Sequence, residues 1–316
     1  MNRKRIIPLL ILLVVMISGC GAQKAVNDSS SPSPSPTEAA ASNQAGNNDT
    51  IVYQSERGPV EVPAHPKRIV ALTSASNVLS LGIPLVGVDE WTYGNPLFAD
   101  KLQGVNVVSD ENVESILDLE PDLILAAAHN KNIDKFEKIA PTVVYTWGKN
   151  DYLKQHLEVG KLLNKEKEAQ AWIDDFTQRS QELSRKIKAK IGENGTVSVL
   201  EGDNKSFYVF GNNFARGTEL LYQMMQLNMP DKVKKDALGP GLYAVSTEVL
   251  GDYAGDYIVL SKNAKVDNSF MESSIWKNLP AVANHHVIEI DTESSSYSDP
   301  ITLENLFNIF EKGFLQ

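Results

Sequence analysis

Glu114-Ser115-Ile116-Leu117-Asp118-Leu119-Glu120-Pro121-Asp122-Leu123-Ile124 has a fainter echo in Glu248-Val249-Leu250-Gly251-Asp252-Tyr253-Ala254-Gly255-Asp256-Tyr257-Ile258. Glu, Asp, Asp and Ile coincide at one constant offset. In both copies a short helical stretch leads into an apolar, β-prone run. Four matches are few, but they fall at the same place in a helix-then-strand unit. That repetition predicts two lobes of similar build.

Around the first copy, β-rich runs alternate with helical stretches. Residues 67–72, 84–88, 106–108, 122–126 and 142–145 read as strands, and 77–81, 113–119 and 131–139 as helices. Alternation of this kind means βαβ units and a largely parallel sheet. It resumes after Gly192, with strands at 197–201, 207–210, 256–261 and 287–291 and helices at 215–225 and 301–314. Between the two series, Trp172, Phe176, Leu183, Ile187 and Ile191 recur at helical spacing among Lys, Glu, Gln and Arg. Residues 151–191 contain no proline, and Gly160 and Gly192 are the breaks near their ends. They predict one long amphipathic helix preceded by a shorter one at 152–163. The apolar stripe is too short for a heptad dimer. The expected fold is α/β: two Rossmann-like lobes, 51–150 and 193–316, joined by one long rigid helix within a helical linker, 151–192.

The N-terminus has another character. Arg3, Lys4 and Arg5 precede an apolar run, 6–17, and Ser18-Gly19 lead to Cys20, the only cysteine of the chain. A spanning helix needs about 20 apolar residues, and Pro8 interrupts this run. An export signal that ends on cysteine resembles a bacterial lipoprotein signal. Residues 1–19 would then be removed and the Cys20 thiol lipidated, which places the remainder on the extracellular face of the cell membrane. Residues 20–50, with Ser31-Pro32-Ser33-Pro34-Ser35-Pro36, hold too few large apolar side chains to fold and read as a disordered tether. The net charge is −10, and loss of the signal removes only cations. Such acidity excludes nucleic acid, which demands Lys/Arg patches.

No Gly-x-Ser-x-Gly elbow, phosphate loop, His-Glu-x-x-His or Cys-x-x-Cys occurs. Gly239-Pro240-Gly241-Leu242-Tyr243-Ala244 fits a dinucleotide pattern on paper, but it follows Lys234-Lys235-Asp236 and no strand, so it reads as a loop. His65, His129, His156, His285 and His286 are scattered, and a direct metal site is not expected; His129 alone follows a strand. In α/β sheets ligands bind beyond the carboxyl ends of strands. The loops there carry Ser74, Trp91, His129, Trp147, Phe214, Arg216, Tyr243 and Tyr297. Rigid aromatic rings with one guanidinium suit a large, oxygen-rich ligand. Trp172 and Trp276 sit in helical runs and are expected in cores.

Several stretches together resemble the siderophore-binding lipoproteins of ABC iron importers, in their ferric-hydroxamate (ferrichrome-type) branch. They are Lys67-Arg-Ile-Val, Val113-Glu-x-Ile-Leu, Pro121-Asp-Leu-Ile, Ile139-Ala-Pro-Thr-Val-Val, Gly211-Asn-Asn-Phe-Ala-Arg-Gly, Tyr253-Ala-Gly-Asp-Tyr-Ile-Val, Trp276-Lys-Asn-Leu and Tyr297-Ser-Asp-Pro. The resemblance implies a periplasmic-binding-protein-like fold of the helical-backbone type, with a shallow cleft and little closure. It implies that Phe214 and Arg216 contact the iron–hydroxamate centre, that Trp147 and Tyr297 add aromatic faces, and that Glu114 and Glu248 dock on a membrane permease. Phe214 stands where the family has tryptophan, and Ser296 where it has a second aromatic. On this resemblance the protein is a monomeric receptor and not an enzyme. Its iron is held by the siderophore, it has no intrinsic cofactor, and its partners are the permease and its ATPase. Catecholate, citrate, haem or cobalamin are alternative ligands; haem would want Tyr297 or His129 as an axial ligand. An anionic catecholate would want several cations, and only Arg216, Lys149 and Lys205 offer themselves. A surface-anchored redox enzyme is a remote alternative, lacking a nucleophile–base pair, a flavin or haem motif and a redox cysteine.

Overall fold

The computed structural model describes residues 49–203 and 206–316. The expected signal, Cys20, nearly all of the expected tether and Lys205 lie outside the described residues. The first described element is a hairpin that the sequence reading did not foresee: β1 (Thr50–Ser55) pairs antiparallel with β2 (Gly58–Pro63). The first lobe then runs β3 (Ile69–Ala71), α1 (Ala75–Ser80), β4 (Leu85–Val88), α2 (Glu90–Tyr93), β5 (Asn106–Val107), α3 (Val113–Leu117), β6 (Leu123–Ala127), α4 (Ile133–Phe136) and β7 (Thr142–Tyr145). Its sheet has the order β5-β4-β3-β6-β7, parallel throughout. Every residue of β3, β6 and β7 is buried. Both faces of the sheet are covered, which is why these strands read as unbroken apolar runs rather than alternating ones.

Two helices follow, α5 (Tyr152–Leu162) and α6 (Glu166–Ile191). Gly160 does not break a helix here. It lies inside α5, and a Cβ on it would sit 2.6 Å from that of Ala169 and 3.1 Å from the Lys165 carbonyl. The break falls at Asn164, whose φ of 55° turns the chain into α6. The apolar stripe of α6 does not stand free between lobes: Phe176, Leu183 and Ile187 are buried in the core of the second lobe. Val159, Leu162 and Leu163, around the end of α5, are buried in the core of the first.

The second lobe runs β8 (Val197–Gly202), β9 (Phe207–Phe210), α7 (Asp231–Ala237), β10 (Leu242–Val245), β11 (Tyr257–Lys262), α8 (Ser274–Lys277), α9 (Pro280–Ala283), β12 (Val287–Asp291) and α10 (Pro300–Leu315). Its sheet has the order β10-β9-β8-β11-β12. Here the expected alternation fails in part, because β9 runs antiparallel to both β8 and β10. Only residues 203–206 connect β8 to β9, too few for the crossover that a parallel pair requires. Trp276 is buried in this lobe and Trp172 is half-buried against Phe176, 4.8 Å between ring centroids. Arg179 of α6 holds Glu304 of α10 through both terminal guanidinium nitrogens, at 3.0 and 2.5 Å.

The sequence echo has a structural cause. Asp122, just before β6, accepts from the backbone N–H groups of Lys67 and Arg68 at 2.7 and 2.9 Å. Asp256, just before β11, accepts from Thr196 N and Thr196 Oγ1, both at 2.8 Å. Each aspartate thus satisfies donors at the entrance of the neighbouring strand, β3 or β8, where the ladder has not yet begun. Strands β6 and β11 also hold the same place, fourth, in their sheets.

Candidate functional site

Loops at the carboxyl ends of strands from both sheets surround an open cleft of about 670 Å³. The first lobe contributes Ser74 after β3, His129 after β6 and Thr146, Trp147 and Gly148 after β7. The second contributes Asn213 to Arg216 after β9 and Ser296 to Asp299 after β12. Of the expected ligand residues, the cleft brings together Arg216, Phe214, Trp147, Tyr297, Ser74 and His129. Ser74 sits in a left-handed conformation at the start of α1, φ 54°, and its Oγ accepts from Gln155 Nε2 at 3.1 Å.

Trp147 is 78% exposed, and what positions it is the unforeseen hairpin. Glu56, at the hairpin tip, accepts the Thr146 N–H on both carboxylate oxygens at 3.2 Å and pairs with Lys149 Nζ at 3.4 Å. Below it, Tyr53 of β1 meets the Tyr145 hydroxyl at 3.3 Å and donates to Glu158 at 3.1 Å. Burial pushes the Tyr53 phenol up to about 12, so it stays a donor across the physiological range. Facing Trp147 from the other lobe, Phe214 stands edge-on at 6.3 Å between ring centroids and 76° between planes. The two rings form one aromatic corner shared by both lobes.

The loop that carries Phe214 does not continue as the helix expected at 215–225. Ala215, Arg216 and Gly217 all have positive φ, 57°, 55° and 78°, and only then does a π-helical turn, Glu219–Met224, begin. Left-handed backbone at two consecutive side-chain-bearing residues costs energy and is held by its surroundings. Glu219 does the holding: its buried carboxylate accepts Ala215 N at 3.0 Å and Thr218 Oγ1 at 3.1 Å. Burial raises its pKa while those hydrogen bonds pull the other way. Gly217 is obligatory for space as well, since a Cβ there would lie 2.6 Å from the Phe310 ring.

Arg216 emerges from this strained run with its guanidinium already oriented. Its Nε donates to Glu201 Oε2 at 2.8 Å and its Nη2 to Glu201 Oε1 at 3.3 Å. Its Cζ lies 5.4 Å from the centre of the Phe210 ring. Two of five N–H groups are thereby committed, and three remain to meet a ligand. Glu201, at the end of β8, also accepts Ser261 Oγ at 2.7 Å. Neither Glu201 nor Glu219 was singled out from the sequence. An acid at a strand end and another in an apolar helical run carry no motif.

Tyr297 belongs by sequence to the second lobe but packs into the core of the first, 5.8 Å from Phe98 between ring centroids. Its hydroxyl lies 3.3 Å from Thr92 Oγ1, and burial pushes its pKa up to about 12. Asp299, fully buried, opens α10 by accepting Ile301 N at 2.9 Å and Thr302 Oγ1 at 2.7 Å. Trp91 and Tyr243 do not line the cleft. Thr92 turns in toward Tyr297, which leaves Trp91, one residue earlier, 85% exposed. Tyr243 lies on the edge strand β10 and stacks on Tyr253 at 6.0 Å. Among the described residues, no group of three or more His, Cys, Asp or Glu is arranged to hold a metal ion.

The sequence model of the periplasmic binding protein family matches residues 69–294, from β3 through the strand-end loop that holds Ser294. This chain belongs to the periplasmic binding protein family. It is similar to the iron(3+)-hydroxamate-binding protein FhuD of Bacillus subtilis, 36% identical over 93% of this chain and 92% of that one. It is also similar to the iron(3+)-hydroxamate-binding protein YxeB of the same organism, 32% identical over 96% and 94%. Among solved structures, FhuD2 of Staphylococcus aureus with bound ferrioxamine B is 32% identical, with a TM-score of 0.74 over 79% of this chain and 98% of that one. A FhuD-fold protein of Bacillus subtilis, a component of a ferrichrome ABC transporter, is 36% identical, with a TM-score of 0.76 over 84% and 100%.

In this periplasmic binding protein Glu114 and Glu248 occupy equivalent stations. Each is exposed and lies in the first turn of a short helical element, α3 or the turn Thr247–Asp252. Each of those elements follows the edge strand of its sheet, β5 or β10, and precedes the fourth strand. A hydrogen bond from Ser246 holds the Glu248 carboxyl below its ordinary pKa.

Proposed function

We propose that this protein is the extracytoplasmic receptor of an ABC importer for ferric hydroxamate siderophores. One observation carries the reading: aromatic rings from two lobes, Trp147 and Phe214, meet at 6.3 Å beside a guanidinium with free N–H groups. Iron wrapped in hydroxamates presents oxygen atoms on an apolar shell. Arg216 can donate charge-assisted hydrogen bonds to those oxygens, and the rings cover the shell with little loss of rotamer entropy. The names of FhuD and YxeB and the ferrioxamine B bound by FhuD2 support the same ligand class. The protein does no chemistry on its cargo in this reading.

Delivery completes the proposal. Residues 1–19 direct export, Cys20 is lipidated, 20–50 tether the lobes to the membrane, and Glu114 and Glu248 engage permease arginines from equivalent points of the two lobes. Titration with ferrichrome or ferrioxamine B, followed by intrinsic tryptophan fluorescence, tests the receptor. Saturable quenching at sub-micromolar concentration with the chelate recovered intact is expected. A flat titration, or chemical conversion of the chelate, rejects it.

A further inference from the structure

We infer that two carboxylates, Glu201 and Glu56, decide which charge of ferric chelate the cleft accepts, admitting neutral and cationic complexes and turning away anionic ones. The inference rests on the receptor reading above and adds a selection rule to it.

Among the described residues lining the cleft Arg216 is the only Lys or Arg, and it is not a free cation. Glu201 faces it through two N–H groups, with the side chains of the pair only 17% and 24% exposed. Ser261 Oγ adds a third donor to the same carboxylate and itself meets Thr292 Oγ1 at 2.9 Å, so the side chain is fixed in place as an acceptor. On the opposite wall Lys149 stands between the lining residues Gly148 and Asn150. It is paired with Glu56, whose side chain is only 12% exposed.

Arg216 and Lys149 are thus each compensated by a carboxylate that the protein positions with further hydrogen bonds. The buried Glu219 and Asp299 add acid to the wall and no positive charge in any protonation state. A triply charged catecholate or a ferric citrate entering here would shed water with no uncompensated cation to replace it. A neutral tris-hydroxamate needs only the ring faces and the uncommitted N–H groups of Arg216. A complex bearing a protonated amine gains from the acidic surroundings, and the net charge of −10 steers it in the same direction.

The test uses three chelates with identical iron coordination: cationic ferrioxamine B, its neutral N-acetyl derivative and its anionic N-succinyl derivative. The unaltered protein should bind them in that order of affinity. Glu201→Gln keeps the shape and acceptor oxygen but removes the charge. It should shrink the cation-to-anion affinity ratio roughly fourfold to a few hundredfold, the span for two units of chelate charge about 10 Å away at effective dielectric constants from about 80 to 20. Glu56→Gln should act in the same direction, and Glu201→Asp should restore the ratio. Rising salt should shrink the ratio in the unaltered protein, which provides a test without any substitution. Equal affinity for all three chelates, or a ratio indifferent to both salt and Glu201→Gln, overturns the selection rule while leaving the receptor reading intact. Failure of all three to bind the unaltered protein overturns the receptor reading itself, and the rule with it.

Discussion

Replacing Arg216 with alanine isolates the contact on which the proposed ligand recognition turns. The guanidinium has five N–H groups and gives two to Glu201, so up to three can reach chelate oxygens. One lost hydrogen bond to a charged donor costs about 1.5–3 kcal/mol, or roughly 10- to 150-fold in dissociation constant. A second penalty comes from what is left behind. Glu201 would retain Ser261 as a donor but lose its counter-ion in a wall that faces the oxygens of the cargo. The loss should therefore reach the upper part of that range for ferrichrome, read by tryptophan quenching. The double substitution Arg216→Ala with Glu201→Gln should recover part of it, because the stranded charge is gone. Arg216→Lys should recover little, since an ammonium cannot grip Glu201 bidentately and still address the ligand. A dissociation constant unchanged in Arg216→Ala would remove the guanidinium from the binding site. A double variant no better than the single would show that Glu201 exerts no field there.

Glu114→Ala combined with Glu248→Ala should abolish siderophore uptake by cells while the purified protein binds as before; surviving transport would reject the docking role. Cys20→Ala should move the protein from the membrane fraction to the medium or leave its signal unprocessed, as fractionation and mass of the N-terminus would reveal. Gly217→Ala should lower thermal stability by about 2–4 kcal/mol, from left-handed strain plus the clash with Phe310. His156 is buried beside Trp172 and 3.2 Å from Asn77 Oδ1, and burial lowers its pKa to about 4. Between about pH 6.5 and 4 the unfolded chain binds a proton there that the folded chain refuses, so its contribution to stability falls with pH through that window, by up to about 3 kcal/mol in total. Denaturant titrations across the window should show a shallower acid loss in His156→Gln; identical slopes would reject the assignment.

Most of the architecture was legible because apolar periodicity reports burial directly. The stretch 142–145 reads as a strand and is one, and α6 declares itself by the spacing of Trp172, Phe176, Leu183 and Ile187. Readings failed where conformation is decided at a distance. The π-helical turn at Glu219–Met224 follows left-handed backbone that is held from far along the chain, where the Ser295 carbonyl accepts Arg216 N at 2.8 Å and the Phe310 ring packs against Gly217. Residues 239–244 read as a loop because they follow Lys234-Lys235-Asp236 and contain Pro240, yet Leu242–Val245 form the edge strand β10, recruited by antiparallel pairing with β9. The hairpin β1–β2 was lost against a polar tether that ends beside it. In the cleft, aromatic residues flanked by Gly, Asn and Ser could be found by composition alone. Their partners could not, since Glu56 and Glu201 acquire meaning only once the fold sets them against Lys149 and Arg216.

Tyr297 and Ile301 leave their own lobe to pack in the core of the other, and Asn95 Nδ2 donates to the Glu293 carbonyl at 2.9 Å across the same junction. Those stitches join the two jaws, and on the receptor reading proposed above they would keep a filled groove from swinging them far. On that reading an empty carrier would show the importer nearly the same outline as a full one, and the two would compete for the same berth. Traffic into the cell would follow the proportion of carriers that hold iron, and making more carrier than the iron supply can fill would slow it.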